Sequence, residues 1–388
     1  MYRNFHDLKL STSIIDKSCV LSYMSVMYLL AITATNDRSE VEIYRNLVRK
    51  GHKVDLICHP DWSGEVPLIE GGVHVTKLNI RHRLDLRAVR ELRRIIKHRE
   101  PDVIYAPRNS ALSTALMATR GDLCPVLGYR GTTGHLRRID PASQITYFHR
   151  RLRGIVCVSE AVKHYLISQR IPEEMLHTIY KGHRLSWYNF GRDVDFGEFG
   201  IPPDAVVVGF TGNIRPVKGI DVLLRSLAYI PKELNVHVLL VGEVRDPRIN
   251  KLAKEAEIAP RVHFAGYRSD APIWAGACDI FVMPSVEREG LPRAVIEAMA
   301  QGVPAVVSAA GGMPELVEDG TSGLVVAARE PEPLGRAIAK LAADPELRNE
   351  MGGAASERIA TVFNVDRTIK KMEKLFLDTT LKYPTNYR

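Results

Sequence analysis

Cysteine is scarce in this chain of 388 residues, and its five copies are scattered. They stand mostly among apolar neighbours, at Cys19, Cys58, Cys124, Cys157 and Cys278. No two of them have the spacing of zinc ligands, and so few scattered cysteines do not make a disulfide framework. We therefore predict reduced thiols in hydrophobic cores, in a cytoplasmic protein.

The chain shows no internal repeat, no low-complexity segment and no long membrane-spanning run. Residues 20–32 are thirteen mostly apolar residues after Lys17, whereas a membrane-spanning helix needs about 20. A signal peptide is one interpretation, with Lys17 as its basic flank and residues 31–34 as its cleavage site. We favour a buried first strand, because residues 40–50 continue as a helix, and an irregular extension over residues 1–19.

Positive charge is in excess, but in only half of the chain. The formal net charge is +8; residues 1–195 hold 30 Lys and Arg against 20 Asp and Glu, and residues 196–388 hold 23 against 25. Without zinc-ligand spacing or an aromatic RNA-binding motif, this excess only weakly favours a nucleic-acid-binding protein. It favours an anionic partner for the first half, either a membrane surface or an acidic acceptor.

Strand and helix patterns alternate along the chain, which predicts βαβ units and parallel sheets. Predicted strands cover residues 26–32, 53–58, 73–78, 103–105, 126–129, 155–158, 206–211, 236–241, 262–265, 280–284 and 305–308. Predicted helices cover residues 38–50, 86–99, 110–120, 159–170, 219–228, 248–256, 271–276 and 365–381. The segment 184–204, rich in aromatic residues, glycine and proline, breaks the pattern and is interpreted as a linker. The predicted domains are residues 1–195 and 196–364, followed by a last segment, 365–388.

Two glutamates, Glu289 and Glu297, stand eight residues apart around a predicted helix start. A proline suits the first helical position there, and a glycine ends the run of helix formers. The amides of Arg293, Ala294 and Val295 would point out of the helix start and form an anion site. A phosphate flanked by two carboxylates that hold hydroxyls predicts a sugar nucleotide as the ligand.

This stretch resembles the signature of the family 4 retaining glycosyltransferases, which have the GT-B fold of two Rossmann-like domains facing across a cleft. The resembling residues are Glu289, seven residues, Glu297-Ala298-Met299, then Gly302-Val303-Pro304 and Gly311-Gly312-Met313-Pro314-Glu315. The alternative is an ordinary amphipathic helix with two solvated glutamates. The resemblance also implies that the helix in residues 365–388 crosses back onto the first domain.

The resemblance implies a role for each residue of this signature. Glu297 would hold the ribose hydroxyls, and Glu289, a catalytic candidate, would hold hydroxyls of the transferred sugar. The amides of Arg293 and Ala294 would face the distal phosphate. Leu291, in the loop before them, is also placed among the donor-binding residues.

A second loop, residues 209–219, supplies glycines and basic residues between a strand and a helix. Arginine can grip a phosphate in bidentate fashion, and lysine acts as a point charge. The loop resembles the family segment that contacts the donor pyrophosphate, which implicates Gly212, Arg215 and Lys218. The family's arginine follows the glycine directly, where this chain has Asn213, so Arg215 would substitute for it. The alternative is a surface loop with incidental charges.

Residues 262–268 resemble the family turn that faces the nucleobase, where Tyr267 would line the pocket. Gly242, after the strand at 236–241, would neighbour the base or the ribose. The alternative for Tyr267 is a single exposed aromatic residue at a strand end, which needs no explanation.

Two first-domain residues, Arg130 and His135, are further catalytic candidates. In the family, a histidine often follows the corresponding strand and faces the donor sugar. Alignment of the strand puts Arg130 at that place, and the nearest histidine, His135, comes five residues later. The alternative for a lone histidine is a structural or surface role.

Residues 81–99 hold eight Arg and Lys against two acids, with Leu86, Val89, Leu92 and Ile96 at helical spacing. A second basic cluster lies within residues 137–153. Such a helix predicts electrostatic docking on an anionic membrane surface, with the apolar stripe packed on the sheet. The alternative is the solvated face of a buried helix.

The resemblance therefore predicts a retaining glycosyltransferase with a UDP-, GDP- or ADP-sugar as donor substrate and no tightly bound cofactor. No Asp-x-Asp motif stands near the site, so we predict no metal. The acceptor would be a glycan or a lipid-linked glycan, in bacterial surface polysaccharide or lipopolysaccharide synthesis at the inner face of the cytoplasmic membrane. The alternatives are a GT-B nucleotide-sugar epimerase and a basic nucleic-acid-binding protein.

Overall fold

Two parallel β-sheets organise the chain in the computed structural model, which describes residues 26–33, 37–121, 123–191, 194–255 and 257–387. The strands of the first sheet are β1 (Tyr28–Ile32), β2 (Lys53–Cys58), β3 (His74–Lys77), β4 (Val103–Ala106), β5 (Val126–Arg130), β6 (Leu152–Cys157) and β7 (Leu176–Thr178). Its helices are α1 (Arg38–Arg49), α2 (Val66–Glu70), α3 (Leu86–Arg99), α4 (Asn109–Ala118), α5 (Pro141–Gln144) and α6 (Glu160–Ser168). The spatial strand order is β3-β2-β1-β4-β5-β6-β7.

Both faces of the first sheet are buried. Successive residues of a strand point to opposite faces of the sheet, so neighbours in the sequence join different cores. In β1, Leu30 and Ile32 join one hydrophobic core, whereas Leu29 and Ala31 join another. All four are at most 2% exposed. This burial on both faces explains why the strands appear in the sequence as nearly continuous apolar runs.

The second sheet repeats the same parallel arrangement. Its strands are β8 (Val206–Thr211), β9 (Val236–Val241), β10 (Val262–Gly266), β11 (Ile280–Met283), β12 (Ala305–Ser308) and β13 (Gly323–Val326). Its helices are α7 (Ile220–Ser226), α8 (Pro247–Leu252), α9 (Ala271–Ala277), α10 (Arg293–Ala300), α11 (Met313–Leu316), α12 (Pro331–Ala343) and α13 (Pro345–Thr361). The strand order is β10-β9-β8-β11-β12-β13.

The last helix, α14 (Val365–Lys382), packs on the first sheet. Met372 and Phe376 lie in the core that contains Leu29, and the Phe376 ring meets Tyr105 edge-on, with centroids 5.7 Å apart. The chain thus passes between the sheets twice, after β7 and again before α14. The two passages touch, because the His183 amide donates to the Phe363 carbonyl and the Val365 amide donates to the His183 carbonyl.

The prediction of two Rossmann-like domains facing across a cleft is confirmed. The predicted strands at 53–58, 206–211, 236–241 and 305–308 and the predicted helix at 86–99 match β2, β8, β9, β12 and α3, and the other predicted elements shift at their ends by a few residues. The edge strand β7 and the helices α12 and α13 are absent from the predictions; three residues of β7 carry too little periodicity to indicate a strand. Residues 1–25, with the predicted extension and most of the alternative signal peptide, lie outside the described residues.

The predicted apolar stripe of α3 is partly wrong. Leu92 and Ile96 are fully buried and Val89 is half-buried, but Leu86 is 59% exposed. At about 100° per residue, Leu86 lies roughly 160° around the helix from the buried Ala88. It therefore faces solvent beside the exposed arginines.

Four cysteines have the predicted environment. Cys58, Cys124, Cys157 and Cys278 are buried with free thiols, and Cys19 lies outside the described residues. Burial raises the pKa of Cys124 and of Cys157 to about 12. These thiols therefore stay protonated and unreactive at neutral pH.

Candidate functional site

A cavity of about 430 Å³ lies where β8, β9 and β11 end, at the edge that faces the first domain. Parallel α/β sheets bind ligands at this carboxyl edge. Of the nine predicted donor-binding residues, eight line this cavity: Gly212, Arg215, Lys218, Gly242, Tyr267, Arg293, Ala294 and Glu297. The fold thus brings together residues that stand more than 80 positions apart in the sequence.

Leu291 is the ninth, and it has a different place. It is half-buried and packs against the hydrophobic cores of both domains. Its side chain therefore joins the two domains beside the cavity.

Glu289, a predicted catalytic residue, does not line the cavity, but it forms an ion pair with Lys218, which does. Lys218 Nζ donates to Glu289 Oε1 at 2.5 Å, and the Ser285 hydroxyl donates to the same oxygen at 2.8 Å. The side chains of Lys218 and Glu289 are only 18% and 13% exposed. The pair places a cation and a carboxylate within reach of one bound molecule.

Glu297 lies in the second turn of α10 and is almost buried, at 7% exposure. Burial raises the pKa of this carboxyl, and the cations of Arg293 and Arg38 act against that rise. Arg293 Nε lies 3.1 Å from Glu297 Oε1, one turn away on the same helix. The carboxylate keeps further acceptor capacity for hydroxyl groups.

The helix start differs from the prediction at one amide. Pro292 is the N-cap of α10, and no side chain caps the helix. The Val295 amide donates to the Pro292 carbonyl at 3.2 Å, since the first turn is tight. Only the amides of Arg293 and Ala294 are therefore left facing the cavity, and the expectation for Val295 was wrong.

Two glycines close the strand ends tightly against each other. Gly212 has φ 142° and Gly242 has φ 147°, in the region that favours glycine. A Cβ on Gly242 would collide with the Gly212 carbonyl. A side chain at Gly242 would therefore force the ends of β8 and β9 apart.

The rim of the cavity is open to solvent. Arg215 is exposed, and Tyr267 is 79% exposed. Arg268, which the sequence did not single out, stacks over Trp274 at 4.5 Å and pairs with Asp270. These contacts fix the position of the Arg268 side chain, and a planar base could bind against it beside Tyr267.

Arg130 and His135 do not line this cavity. The buried Arg130 donates from Nε to the Thr132 carbonyl at 3.0 Å and from Nη2 to the Gly134 carbonyl, so it shapes the loop after β5. His135 has φ 57°, and its Nε2 lies 2.6 Å from Arg288 Nη1 in the second domain. His135 therefore sits at the contact between the domains.

Glu315, quoted from the signature but given no role, joins the two domains directly. Its carboxylate accepts from the amides of Glu160 and Ala161 at 2.7 Å each and from the Tyr180 hydroxyl at 3.0 Å. These amides begin α6, so the charge also complements the helix dipole. Sequence position alone does not reveal this partner, because it belongs to the other domain.

The first domain also reaches Glu297, through residues that the sequence did not indicate. A cavity of about 170 Å³ is lined by Asp37, Arg38, His183, Arg293 and Glu297, among others. Burial lowers the pKa of His183 to about 4, so its ring is neutral at pH 7, and Nδ1 lies 2.5 Å from the Tyr188 hydroxyl. The start of α1 and the linker therefore form one wall beside the carboxylate.

The described part of the chain contains no group of three or more His, Cys, Asp or Glu side chains that could hold a metal ion. Within the same residues, no helix combines the length and the apolar character needed to cross a membrane.

Comparison with known proteins defines the class. The fold is similar to the solved structure of Anabaena Alr3699/HepE in complex with UDP, with a TM-score of 0.73 and 21% identity over 91% of this chain and 100% of that one. Two parallel sheets around one cleft, with this likeness, show that the protein has the GT-B fold. Family models for "Glycosyltransferase Family 4" and "Glycosyl transferases group 1" match residues 38–187 and 191–358. The chain belongs to the family 4 glycosyltransferases.

Curated relatives bear names of the same kind. D-inositol 3-phosphate glycosyltransferase of Streptomyces griseus subsp. griseus is 36% identical over 180 residues, which are 43% of this chain and 38% of that protein. The chain thus spans well under half the length of that relative. Lipopolysaccharide core biosynthesis glycosyltransferase LpsE of Rhizobium meliloti is 28% identical over 342 residues, 84% of this chain and 91% of that protein.

Proposed function

We propose that this protein transfers a sugar from a nucleotide-diphosphate sugar to a glycan or lipid-linked acceptor, with retention of the anomeric configuration. One observation carries the proposal: the cleft joins Lys218, the free amides of Arg293 and Ala294, and Glu297 in a single cavity. A nucleoside diphosphate sugar has the matching groups, two phosphates between two polyols. Alr3699/HepE, a structural neighbour, is named in complex with UDP.

The residues of this site then have separate roles. Lys218 and Arg215 neutralise the diphosphate, and the α10 amides hold its distal phosphate. Glu297 accepts from the ribose hydroxyls and Glu289 from hydroxyls of the transferred sugar, while Tyr267 and Gly242 border the base. Because these cations stabilise charge that grows on the departing diphosphate, they stabilise the transition state.

The proposed reaction breaks the bond between the sugar C1 and the diphosphate oxygen and forms a bond from C1 to the acceptor oxygen on the same face. The proton of the acceptor hydroxyl goes to the departing diphosphate, so no dedicated protein base and no metal ion are needed. Arg130 and His135 order the first-domain loop beside the sugar. Closure of the domains excludes water.

The proposed setting is surface polysaccharide or lipopolysaccharide synthesis at the inner face of the cytoplasmic membrane. One relative is named for lipopolysaccharide core biosynthesis and another for a phosphorylated acceptor. On α3, Arg87, Arg90, Arg94 and Lys97 are exposed and would meet anionic headgroups. The exposed Leu86 adds an apolar contact to that surface.

Thermal denaturation with UDP-, GDP- and ADP-sugars tests the donor site. A nucleotide at about 100 times its Kd adds roughly 2.7 kcal/mol of stability, which should raise the Tm by several degrees. Wild type should respond to one nucleotide, and Glu297→Ala should not. Glu332→Ala is a matched control, since Glu332 also pairs with an arginine one turn away, Arg336, on a helix that does not line the cavity. No response of wild type to any donor would refute the proposal.

Retention needs its own measurement. Once a donor and an acceptor are known, NMR of the product should show the anomeric configuration of the donor. An inverted product would refute the proposed same-face reaction while leaving the donor site intact.

A further inference from the structure

A second large cavity, of about 580 Å³, opens on the first domain at the ends of β4 and β5. Its lining includes His82, Arg83, Arg108 and Arg130, and none of the described residues that line it is Asp or Glu. A cavity with several cationic side chains and no acid selects for anions.

Arg83 and Arg108 are the two cations that are available to a ligand there. Both are exposed, and within the described residues neither forms an ion pair. Arg130 differs, because its guanidinium donates to backbone carbonyls and packs over the Tyr147 ring at 5.1 Å. Arg130 therefore forms a fixed part of the wall of this cavity.

One carboxylate whose charge interacts with Arg83, that of Asp140, is already engaged. The Asp140 carboxylate caps α5 by accepting from the Ala142 and Ser143 amides and the Ser143 hydroxyl. The pKa of Asp140 is lowered first by the Ser143 hydroxyl, while Arg83 contributes only through its charge at a distance. Arg83 thus keeps its guanidinium donors for a ligand.

An apolar slot adjoins this basic cavity. It has a volume of about 250 Å³ and shares Arg108 and Ser110 with the basic cavity. Its other walls include Ile32, Ile57, Leu78 and Ile80, at the ends of β1 and β2 and in the chain after β3. Arg108 therefore lines both the slot and the basic cavity, and Arg83 lines the basic cavity next to the slot.

We propose that these joined cavities bind the acceptor as a phosphate-bearing amphiphile, with Arg83 and Arg108 on the phosphate and the apolar chain in the slot. This inference rests on the proposed function, because it assigns the acceptor side of the same cleft. Arginine binds phosphate through paired donors, and burial of the chain adds the hydrophobic term. The uncapped start of α4, which follows Arg108, adds positive potential.

Calorimetric titration of the full chain with geranyl phosphate, geraniol and inorganic phosphate tests the assignment. The variants are Arg83→Gln, Arg108→Gln and Ile80→Asn, which places a polar group on the slot wall. Arg120→Gln is the matched control, since Arg120 is exposed just past the far end of α4, about 18 Å from Arg108. UDP is titrated in parallel on each protein, and Tm values verify folding.

We expect geranyl phosphate to bind at least ~10-fold tighter than either geraniol or inorganic phosphate. Arg83→Gln and Arg108→Gln should each weaken the binding of geranyl phosphate by ~10-fold or more, while Arg120→Gln leaves that binding unchanged. Ile80→Asn should weaken the binding of geranyl phosphate and leave the binding of inorganic phosphate unchanged. Titration of UDP should be the same in all of these variants.

Three results would overturn the assignment. Equal binding of geraniol would show a slot without an anion site, and equal binding of inorganic phosphate would show an anion site without a slot. Equal losses in Arg108→Gln and Arg120→Gln would show a diffuse basic surface. Loss of UDP-sugar binding in wild type is a separate result, which would refute the donor site whatever geranyl phosphate does.

Discussion

Gly290→Ala should block the close approach of the two domains. Gly290, next to Glu289, faces the first-domain loop after β5. A Cβ at this position would lie 2.7 Å from Val158 Cγ1 and still closer to the Gly131 carbonyl, both in the first domain. The added methyl group therefore tests whether the observed arrangement of the domains is the catalytic one.

The size of the effect follows from these contacts. Carbon atoms pack at about 3.5–4.0 Å, so the Val158 contact alone forces a separation of about 1 Å. The Gly131 carbonyl is backbone and cannot rotate away. A displacement of about 1 Å between reacting groups can lower a rate ~100-fold. We expect kcat to fall by that factor while the Kd for the nucleotide stays within about twofold, because the donor cavity belongs to the second domain.

The measurement is steady-state kinetics with the identified donor and acceptor, with nucleotide binding measured by calorimetry. Gly353→Ala is the control: Gly353 is exposed on α13, and a Cβ there meets nothing within 4 Å. That control should keep full activity and gain about 0.5–1 kcal/mol of stability. An unchanged kcat in Gly290→Ala would refute the reasoning, since catalysis would then not need this close contact.

Three further predictions concern single side chains. Glu315→Gln should lower the free energy of unfolding by about 1.5–3 kcal/mol in urea denaturation, because the α6 amides lose a charged acceptor; unchanged stability would contradict this. The pKa of His183 is lowered to about 4, first by burial and then by the cations of Arg293, Lys181 and Arg38, against the opposing charge of Asp37, so the folded protein protonates this ring at a lower pH than the unfolded chain does. Stability should therefore be full above pH 6.5 and fall by roughly 2–3 kcal/mol as pH drops towards 4, and the same profile in His183→Gln would contradict this. Lys218→Ala should raise the nucleotide Kd by ~10- to 100-fold in calorimetry, and an unchanged Kd would exclude its phosphate contact.

Local patterns predicted the elements well where periodicity was long. The strand at 53–58 and the helix at 86–99 each carry a strong pattern, and both match the structure. Edge strands were harder to predict. β7 has three residues, and it gains its hydrogen-bond partners only through pairing with β6. Leu86 shows the same limit, because apolar identity does not reveal which side of α3 meets the sheet.

Eight of the residues that line the cavity at the ends of β8, β9 and β11 were predicted from a family resemblance, which rests on glycines and charged residues at strand ends and at a helix start. Contacts between the domains were not predictable in this way. Glu315 and the α6 amides are about 155 positions apart in sequence, and Arg130 forms hydrogen bonds to carbonyls only once its own loop has folded. The identity of such partners depends on the tertiary structure, which a local sequence pattern does not reveal.

For the proposed donor, the ion pair between Lys218 and Glu289 would make the binding of its phosphate end and of its sugar end interdependent. A phosphate that takes Lys218 removes one of the two donors that this structure gives to Glu289, which then keeps only the Ser285 hydroxyl. Hydroxyls of an attached sugar can replace the lost donor, whereas a bare diphosphate cannot. In the proposed reaction, Lys218 would thus return to Glu289 once the sugar has left, so the pair that receives an intact donor would also favour release of the nucleoside diphosphate.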